Sequence, residues 1–217
     1  MSGYPRSPKL LRAGLVLLDP VSGAVLRILG LQYNPESMTR SLQVRGAGSE
    51  GGDFMEALRL RGAPVETIKL DVEIDAADAL ETAQPSVSTL GLHPQIAAIE
   101  ALVHPSSGAL LGANAIASSG SLEIAPAMAP LSVFVFGPNR IVPVRITELS
   151  VVEEAFDASL NPIRAKLSLG LRVLSVDDLG FDSKGGGLFM GYLQAKERLA
   201  SQAVGGDFRS LGIPGVF

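Results

Sequence analysis

The sequence predicts a mainly β fold. Aromatic residues are few, with 8 Phe, 3 Tyr and no Trp, whereas 24 Gly and 14 Pro allow many turns. This composition favours aliphatic strands joined by short turns over a bundle of helices. The segment from Ile163 to Val173 strictly alternates apolar and polar residues, which is the period of a strand with one dry face. We therefore expect an all-β or β-rich fold.

Seven strands are predicted, mostly as consecutive hairpins. The first two are joined by "DPVSG", in which Pro20 and Gly23 supply turn geometry. A second turn is expected at Gly137-Pro138-Asn139, between two aliphatic runs. The predicted strands are residues 10–18, 24–33, 37–45, 66–75, two within 131–149, and 163–173.

One helix with clear borders interrupts the strands. Pro94 suits its first turn and Pro105 prevents its continuation, with apolar residues from Leu92 to Val103 at helical spacing between them. Residues 106–121 are predicted to form a flexible loop. The β domain should therefore span residues 1–180. Residues 181–217 should form a linker, "GFDSKGGG" at 180–187, then a helix at 188–204 and an apolar docking tail.

Charge and composition exclude several classes of function. The net charge is −4 and the pI is about 5.2, so no basic footprint for nucleic acid is present. The absence of cysteine excludes disulfides and thiolate ligands. His93 and His104 flank the helix without forming a metal-binding pair, so neither a metal nor a cofactor is expected. No apolar run reaches membrane-spanning length, and we expect a protein that folds in the cytoplasm without membrane insertion.

A nucleotide-binding enzyme is the alternative from a different class. Gly46, Gly48 and Gly51 match G-x-G-x-x-G, and Asp71 follows at about the spacing of the ribose-binding acid. That motif needs a buried parallel strand before it and a helix after it. The preceding strand is half polar and the following segment allows barely two helical turns, so a glycine-rich loop is the preferred interpretation. No catalytic residue is predicted.

Charge is distributed unevenly along the chain. Residues 1–62 carry eight Arg or Lys against five Asp or Glu, whereas residues 65–83 contain one Lys and six acids. Such asymmetry can steer head-to-tail contact between identical subunits, which closes a ring if the rotation allows. A mixed solvated surface is the alternative. The uneven distribution predicts one acidic surface patch and one basic patch. The six acids of the acidic patch are Glu66, Asp71, Glu73, Asp75, Asp78 and Glu81.

Several segments resemble, in order, the contractile injection system tube protein family. They are "LQYNPESMTRS" (31–41), "GAPVETIKLDVEIDAADALE" (62–81), the helix at 92–105, and the strand-rich segment at 130–174 that includes "LNPIRAKLSLGLRVL". The resemblance implies a tail-tube-like antiparallel β-barrel or sandwich with one flanking α-helix, followed here by a C-terminal helix and a tail. It also implies a structural role as a baseplate adaptor in a phage-tail-like particle, assembled in the cytoplasm. A hexameric ring would join the inner tube to the spike hub. A regular inner-tube subunit is the alternative.

The same resemblance implies which surfaces meet partners. These partners would be neighbouring copies, the inner tube protein, the spike hub protein and other baseplate proteins. Longer family members carry a LysM module after this domain, and the roughly forty residues after Val176 are too few for it, so the helix and tail are expected to dock instead. Candidate residues for a subunit or channel interface are Asn34, Pro35, Arg40, Asp71, Glu73, Asn161, Pro162, Arg164, Lys166, Arg172, Phe208, Leu211 and Phe217.

Overall fold

The computed structural model describes residues 11–46, 59–77, 80, 85–118 and 129–215. Its centre is one seven-stranded antiparallel sheet with the order β2-β1-β5-β6-β7-β4-β3, so the prediction of a mainly β fold is confirmed. The sheet is not closed into a barrel, because a barrel requires the two outermost strands, β2 and β3, to pair with each other. The strands are β1 (Gly14–Leu18), β2 (Val25–Gly30), β3 (Met38–Gln43), β4 (Val65–Asp75), β5 (Leu131–Val135), β6 (Ile141–Phe156) and β7 (Pro162–Val173).

The first hairpin is confirmed, and its turn is built by Asp19. The Asp19 carboxylate accepts hydrogen bonds from the backbone N–H of Ser22 at 2.6 Å and from that of Val21 at 3.1 Å. Gly23 has a φ of 71°, a conformation that residues with a side chain rarely adopt. Local chemistry therefore suffices to return β2 alongside β1.

β7 is a long inner strand of the sheet. The prediction of which of its residues face the core is confirmed. Its apolar residues from Ala165 to Val173 are buried, whereas Arg164 and Lys166 are exposed. β6 extends beyond the predicted end at Leu149 as far as Phe156, because it pairs with β7 along nearly the whole length of that strand. The long β6–β7 hairpin therefore forms the middle of the sheet.

The helices differ more from the prediction than the strands do. The flanking helix is present but ends at Glu100, with Ile96 and Ile99 buried. The prediction of a flexible loop at 106–121 is wrong for residues 107–118, which are helical. The Ser106 hydroxyl accepts a hydrogen bond from the backbone N–H of Ala109, which is a helix-capping contact. The helices are α1 (Pro85–Leu90), α2 (His93–Glu100), α3 (Ser107–Ser118), α4 (Val176–Leu179) and α5 (Lys184–Ser201).

The C-terminal helix α5 packs into the core of the β domain. Phe189 and Tyr192 are buried in the same hydrophobic cluster as the inner residues of β4 and β7. The helix begins at Lys184, where the predicted linker would still have been unstructured, because the Ser183 hydroxyl accepts a hydrogen bond from the backbone N–H of Gly186 at 2.9 Å. None of the helices among the described residues is long and apolar enough to span a membrane.

The glycines at the start of α5 serve close packing. A Cβ added at Gly186 would collide with the backbone oxygen of Gly180, and one at Gly185 would lie 2.5 Å from Leu179 Cδ1. Gly187, the next residue, has open space around its Cα. The run of three glycines that suggests a linker is therefore partly a steric requirement of helix docking.

Gly186→Ala is expected to destabilise the protein and Gly187→Ala to stabilise it. Both gain up to about 1 kcal/mol of helix propensity, but only the methyl group at 186 must displace backbone, at a cost of about 1–3 kcal/mol. Urea unfolding of the two variants and the wild type measures the difference. Equal stabilisation by both substitutions would contradict the close approach of Gly180 and Gly186.

Candidate functional site

A charged face covers β7 and its two neighbouring strands. Because β7 lies between β6 and β4, its outward side chains have neighbours on both strands. Arg164 stands opposite Glu154 on β6 and Asp75 on β4, while Lys166 stands opposite Glu73 on β4. The period of two places these side chains on the side of the sheet opposite the core. We call this surface of β4, β6 and β7 the charged face.

Three cations of the charged face are paired within the chain. Arg164 Nη2 lies 2.9 Å from Asp75 Oδ2, and Lys166 Nζ lies 3.3 Å from Glu154 Oε1. Further along β7, Lys69 of β4 and Glu148 of β6 approach to 3.5 Å across Gly170. Exposed pairs of this kind contribute about 0–1 kcal/mol each. They occupy Lys69, Arg164 and Lys166 and stabilise the fold little.

Asp75 is the most constrained carboxylate of this face. The backbone N–H of Ala77 donates to it at 2.7 Å, and this bond is the main reason why the pKa of Asp75 lies below its ordinary value. Burial opposes the shift, and the hydrogen bond and charge of Arg164 add to it. Asp75 is therefore ionised in the folded protein at pH values near neutrality.

The charged face forms one wall of a cleft of about 620 Å³. The opposite wall is the loop 33–37, which Gln32 anchors by a pair of hydrogen bonds to the backbone of Asp75, at 2.8 and 2.9 Å. The Asn34 side chain holds the same loop to the chain before β1, through Leu11 and Ala13. Although several carboxylates line this cleft, no cluster of His, Asp or Glu among the described residues could hold a metal ion.

Six of the predicted interface residues meet in this cleft. They come from three parts of the sequence, the loop before β3, the end of β4 and the start of β7. The six are Asn34, Pro35, Asp71, Glu73, Arg164 and Lys166. Arg172 lies outside this cleft. Its Nη2 is 2.7 Å from Oδ1 of Asp178, which belongs to the capping box of α4.

The remaining predicted residues of the sheet have contacts inside the chain. Pro162 is fully buried, so it belongs to the core and offers no surface to a partner. The Asn161 amide donates to Asp157 Oδ2 at 2.8 Å and to the carbonyl of Thr89 at 3.2 Å, which joins the β6–β7 turn to α1. Arg40 points to the core side of the sheet, where its Nε lies 2.9 Å from Glu66 Oε1.

The tail keeps apolar side chains on the surface. Phe208 and Leu211 are exposed, as is Ile213, around a turn in which the carboxylate of Asp207 accepts a hydrogen bond from the backbone N–H of Ser210. Phe217 lies outside the described residues. The described tail therefore presents apolar groups outward, and its docking on another subunit or baseplate protein stays a prediction.

The surroundings of Gly46 differ from a dinucleotide site. The preceding strand β3 is an edge strand that pairs antiparallel with β4, and Gly46 itself forms an isolated bridge with Leu60. Asp71 accepts a hydrogen bond from Ser168 on the charged face. Gly48 and Gly51 lie outside the described residues. The described part of the motif thus lacks the buried parallel strand that a pyrophosphate cradle follows.

A buried ion cluster around Glu66 was not anticipated from the sequence. The side chain of Glu66 is only 4% exposed and accepts hydrogen bonds from Arg40 Nε, the Tyr192 hydroxyl and Lys196 Nζ at 2.8–2.9 Å. Its assignment to an acidic surface patch is therefore wrong. Its position in the sequence could have indicated this, because Glu66 lies an even number of residues from Ile68 and the other inward residues of β4. Asp78 and Glu81 of that patch lie outside the described residues.

The pKa of Glu66 is set by opposing effects. Burial alone would raise it, but the hydrogen bonds of Lys196 and Tyr192 and the charges of Lys196 and Arg40 outweigh burial. The pKa of Glu66 therefore lies below its ordinary value, and the carboxylate is ionised in the folded protein. It ties α5 to β3 and β4.

Two strand edges remain free at opposite ends of the sheet. β2 and β3 each have six residues and one hydrogen-bonded neighbour among the described strands. β2 exposes Val25, Leu26 and Ile28, and the end of β3 exposes Leu42. Such edges are templates for pairing with another strand.

No model of a known protein family matches this chain, and no curated protein is significantly similar to it. The geometry of the chain thus provides the candidate functional surfaces. They are the charged face, the two free strand edges, the apolar tail and the ion cluster around Glu66.

Proposed function

We propose that this chain is a structural adaptor in the baseplate of a contractile injection particle. Copies of it, six by the implication of the resemblance, would form a ring between the inner tube and the spike hub. The resemblance of residues 31–41, 62–81 and 130–174 to the tube protein family supports this role. The observation that carries it is the presence of two free edges of equal length at opposite ends of one sheet.

The edges suit a ring because they lie at different ends of the strand order of the sheet. Contact between β2 of one copy and β3 of the next would be head-to-tail, and a head-to-tail contact closes into a ring when its rotation allows. The exposed apolar residues of β2 would become buried in that contact. Pairing would also satisfy the backbone groups that the edges leave open.

The charged face would then be left for the channel or for an adjacent ring. Three of its cations, Lys69, Arg164 and Lys166, already have carboxylate partners in the same chain. Paired cations attract anionic cargo less than free ones do, so this part of the face can line a channel without binding such cargo strongly.

A regular inner-tube subunit is the second candidate, since the same free edges would serve stacked rings. The number of layers separates the two roles. Electron microscopy of particles purified from the producing cell should show one layer of this chain for an adaptor and many for a tube subunit. Absence of the chain from any such particle would reject both.

Ile28→Lys is expected to prevent ring formation without unfolding the subunit. Ile28 is 69% exposed at the free edge of β2, and a lysine at an edge opposes strand pairing with a neighbour. The melting temperature should change by less than about 2 °C, as for ordinary surface substitutions. The readout is incorporation of the variant into particles, which should fall at least about tenfold, the equivalent of about 1.4 kcal/mol.

Val21→Lys is the matched control. Val21 is 86% exposed in the β1–β2 turn, so the same charge is added away from the edge. This variant should assemble like the wild type. Normal incorporation of Ile28→Lys would show that β2 makes no contact in the ring.

A further inference from the structure

A second cleft, of about 310 Å³, lies between α5, the β5–β6 turn and the edge strand β3. It is separate from the charged face, since its residues come from the core side of β3 and from α5. It combines three cations with three apolar or aromatic side chains. These are Arg40, Arg140, Lys196, Phe136, Tyr192 and Leu199.

The charge of this cationic cleft is not balanced. Glu66 lies beneath it and binds both Arg40 and Lys196, so one carboxylate serves two cations. Arg140 has no carboxylate partner among the described residues. Its guanidinium lies 5.5 Å from the centre of the Phe136 ring, and Nη1 lies 3.7 Å from Met38 Sδ, a weak acceptor. The cleft therefore carries about two surplus positive charges.

The cations are held in place before any ligand arrives. Glu66 fixes Arg40 and Lys196, and the ammonium of Lys196 also lies 4.1 Å from the centre of the Tyr192 ring. Arg140 is positioned over Phe136. Because these side chains are already ordered, an incoming anion does not incur the entropic cost of ordering them. Their heads are still partly exposed and can be reached.

We propose that the cationic cleft binds an acidic segment of a partner protein. A carboxylate of that segment contacts Arg140 and Lys196, and an apolar residue next to it packs against Phe136 and Leu199. The volume suits one or two side chains and not a folded surface. β3 borders the cleft with unpaired backbone groups, so an extended peptide can pair with the strand while its side chains enter the cleft. The overall charge of −4 disfavours a nucleic-acid strand. The peptide and the proposed ring contact would use the same free edge of β3, so the peptide is expected to bind a subunit that is not in a ring.

The test measures binding of a fluorescein-labelled octapeptide in which glutamate alternates with leucine. Fluorescence anisotropy with the full chain should detect binding at low ionic strength that weakens as salt rises, because the contacts are partly exposed. The counterpart peptide with glutamine in place of glutamate should bind at least about tenfold more weakly. Equal binding of the two peptides, or no binding of the glutamate peptide, would overturn the proposal.

The site is assigned by a matched pair of variants. Arg140→Met keeps the aliphatic stem over Phe136 but removes the charge, and should weaken binding at least about fivefold. Arg145→Met removes an exposed arginine of β6 that lies outside the cleft, and should leave binding unchanged. Equal losses in both variants would mean that only net charge matters, which overturns the proposal. Binding of a labelled single-stranded DNA that depends on Arg140 while the peptide does not bind would likewise overturn it.

Discussion

Leu169→Asp is expected to yield no soluble folded protein. Leu169 is 4% exposed in the middle of β7, with Leu70 of β4 and Leu149 of β6 as its cross-strand neighbours. Both neighbours are apolar, and two cations on the core side of the sheet, Arg40 and Lys196, already bind Glu66. Burying the charged carboxylate costs several kcal/mol, and so does protonating it so that it can be buried uncharged. Either cost is a large part of the stability of an ordinary domain. Expression followed by circular dichroism of the soluble fraction gives the result.

Two further variants keep this prediction testable if the aspartate variant cannot be purified. Leu169→Ala should fold but lose about 2–5 kcal/mol of unfolding free energy, because it removes buried methyl groups and leaves a cavity. Lys166→Leu changes the opposite face of the same strand and should fold normally. Normal folding of Leu169→Asp together with loss of folding in Lys166→Leu would mean that the two faces of β7 had been exchanged.

Glu66→Gln is expected to lower the free energy of unfolding by about 2–3 kcal/mol. The carboxylate accepts bonds from three donors, whereas the amide has one acceptor oxygen and presents an NH₂ group to a cation. Arg40 and Lys196 are partly exposed, so water limits the loss. Thermal unfolding should show a decrease of about 5–10 °C for a chain of this size. A decrease below about 1 °C would contradict the role of this cluster.

The same cluster predicts an effect of pH. The pKa of Glu66 in the folded state is below its ordinary value of 4.5, so the unfolded state binds the proton more readily. The contribution of Glu66 is therefore complete above about pH 4.5 and is lost as pH falls through the folded-state pKa. Wild-type protein should lose more stability than Glu66→Gln between pH 6 and the acid range, and the difference between them should shrink as pH falls.

Glu73→Gln is the matched control for the Glu66 variant. Glu73 is on the same strand but on the charged face, exposed and without a direct ion pair at salt-bridge distance among the described residues. Its substitution should change the unfolding free energy by less than about 0.5 kcal/mol. If Glu73→Gln lowered the unfolding free energy as much as Glu66→Gln does, the loss of any negative charge on β4 would explain the effect, and the buried contacts of Glu66 would not.

The buried cluster also explains why α5 cannot be treated as an appendage. Tyr192 and Lys196 are one turn apart on α5 and reach the same carboxylate on β4, while Phe189 enters the core. The helix therefore shares the hydrophobic core and the ion cluster of the sheet. The part after Ser201 has no such contacts among the described residues and keeps apolar side chains exposed.

Most of the candidate surface on the charged face could be predicted from the sequence. Alternation in β4 and β7 is a local property, and it places Asp71, Glu73, Arg164 and Lys166 on one side of any sheet that these strands join. Their meeting in one cleft also required that β4 and β7 be neighbours, which alternation does not state. The resemblance to a known family suggested an interface there, and the cleft itself became visible only in the folded chain.

The missed features share one cause. Each depends on contacts with residues far away in the chain, which the local sequence pattern does not contain. The glycines at 185–187 and Gly108 suggest flexibility, yet Gly186 packs on Gly180 and residues 107–118 are helical. Glu66 reads as one more acid in an acidic run, yet it faces inward and binds cations that are 26 and 130 positions away in the chain.

By itself, the sequence determined the β class, the approximate number of strands, the phase of β4 and β7, and the turns at Gly23 and Gly137. These depend on contacts within a few residues, through side-chain alternation and the backbone preferences of Gly, Pro and Asp. Only the tertiary structure decided that the sheet is open with β2 and β3 at its edges and that α5 enters the core. It also decided that Arg140 lies beside Lys196 with no carboxylate partner in the described part of the chain. These features depend on pairing and burial between residues far apart in the chain. Their free energy is set by which surfaces meet, and no local pattern encodes it.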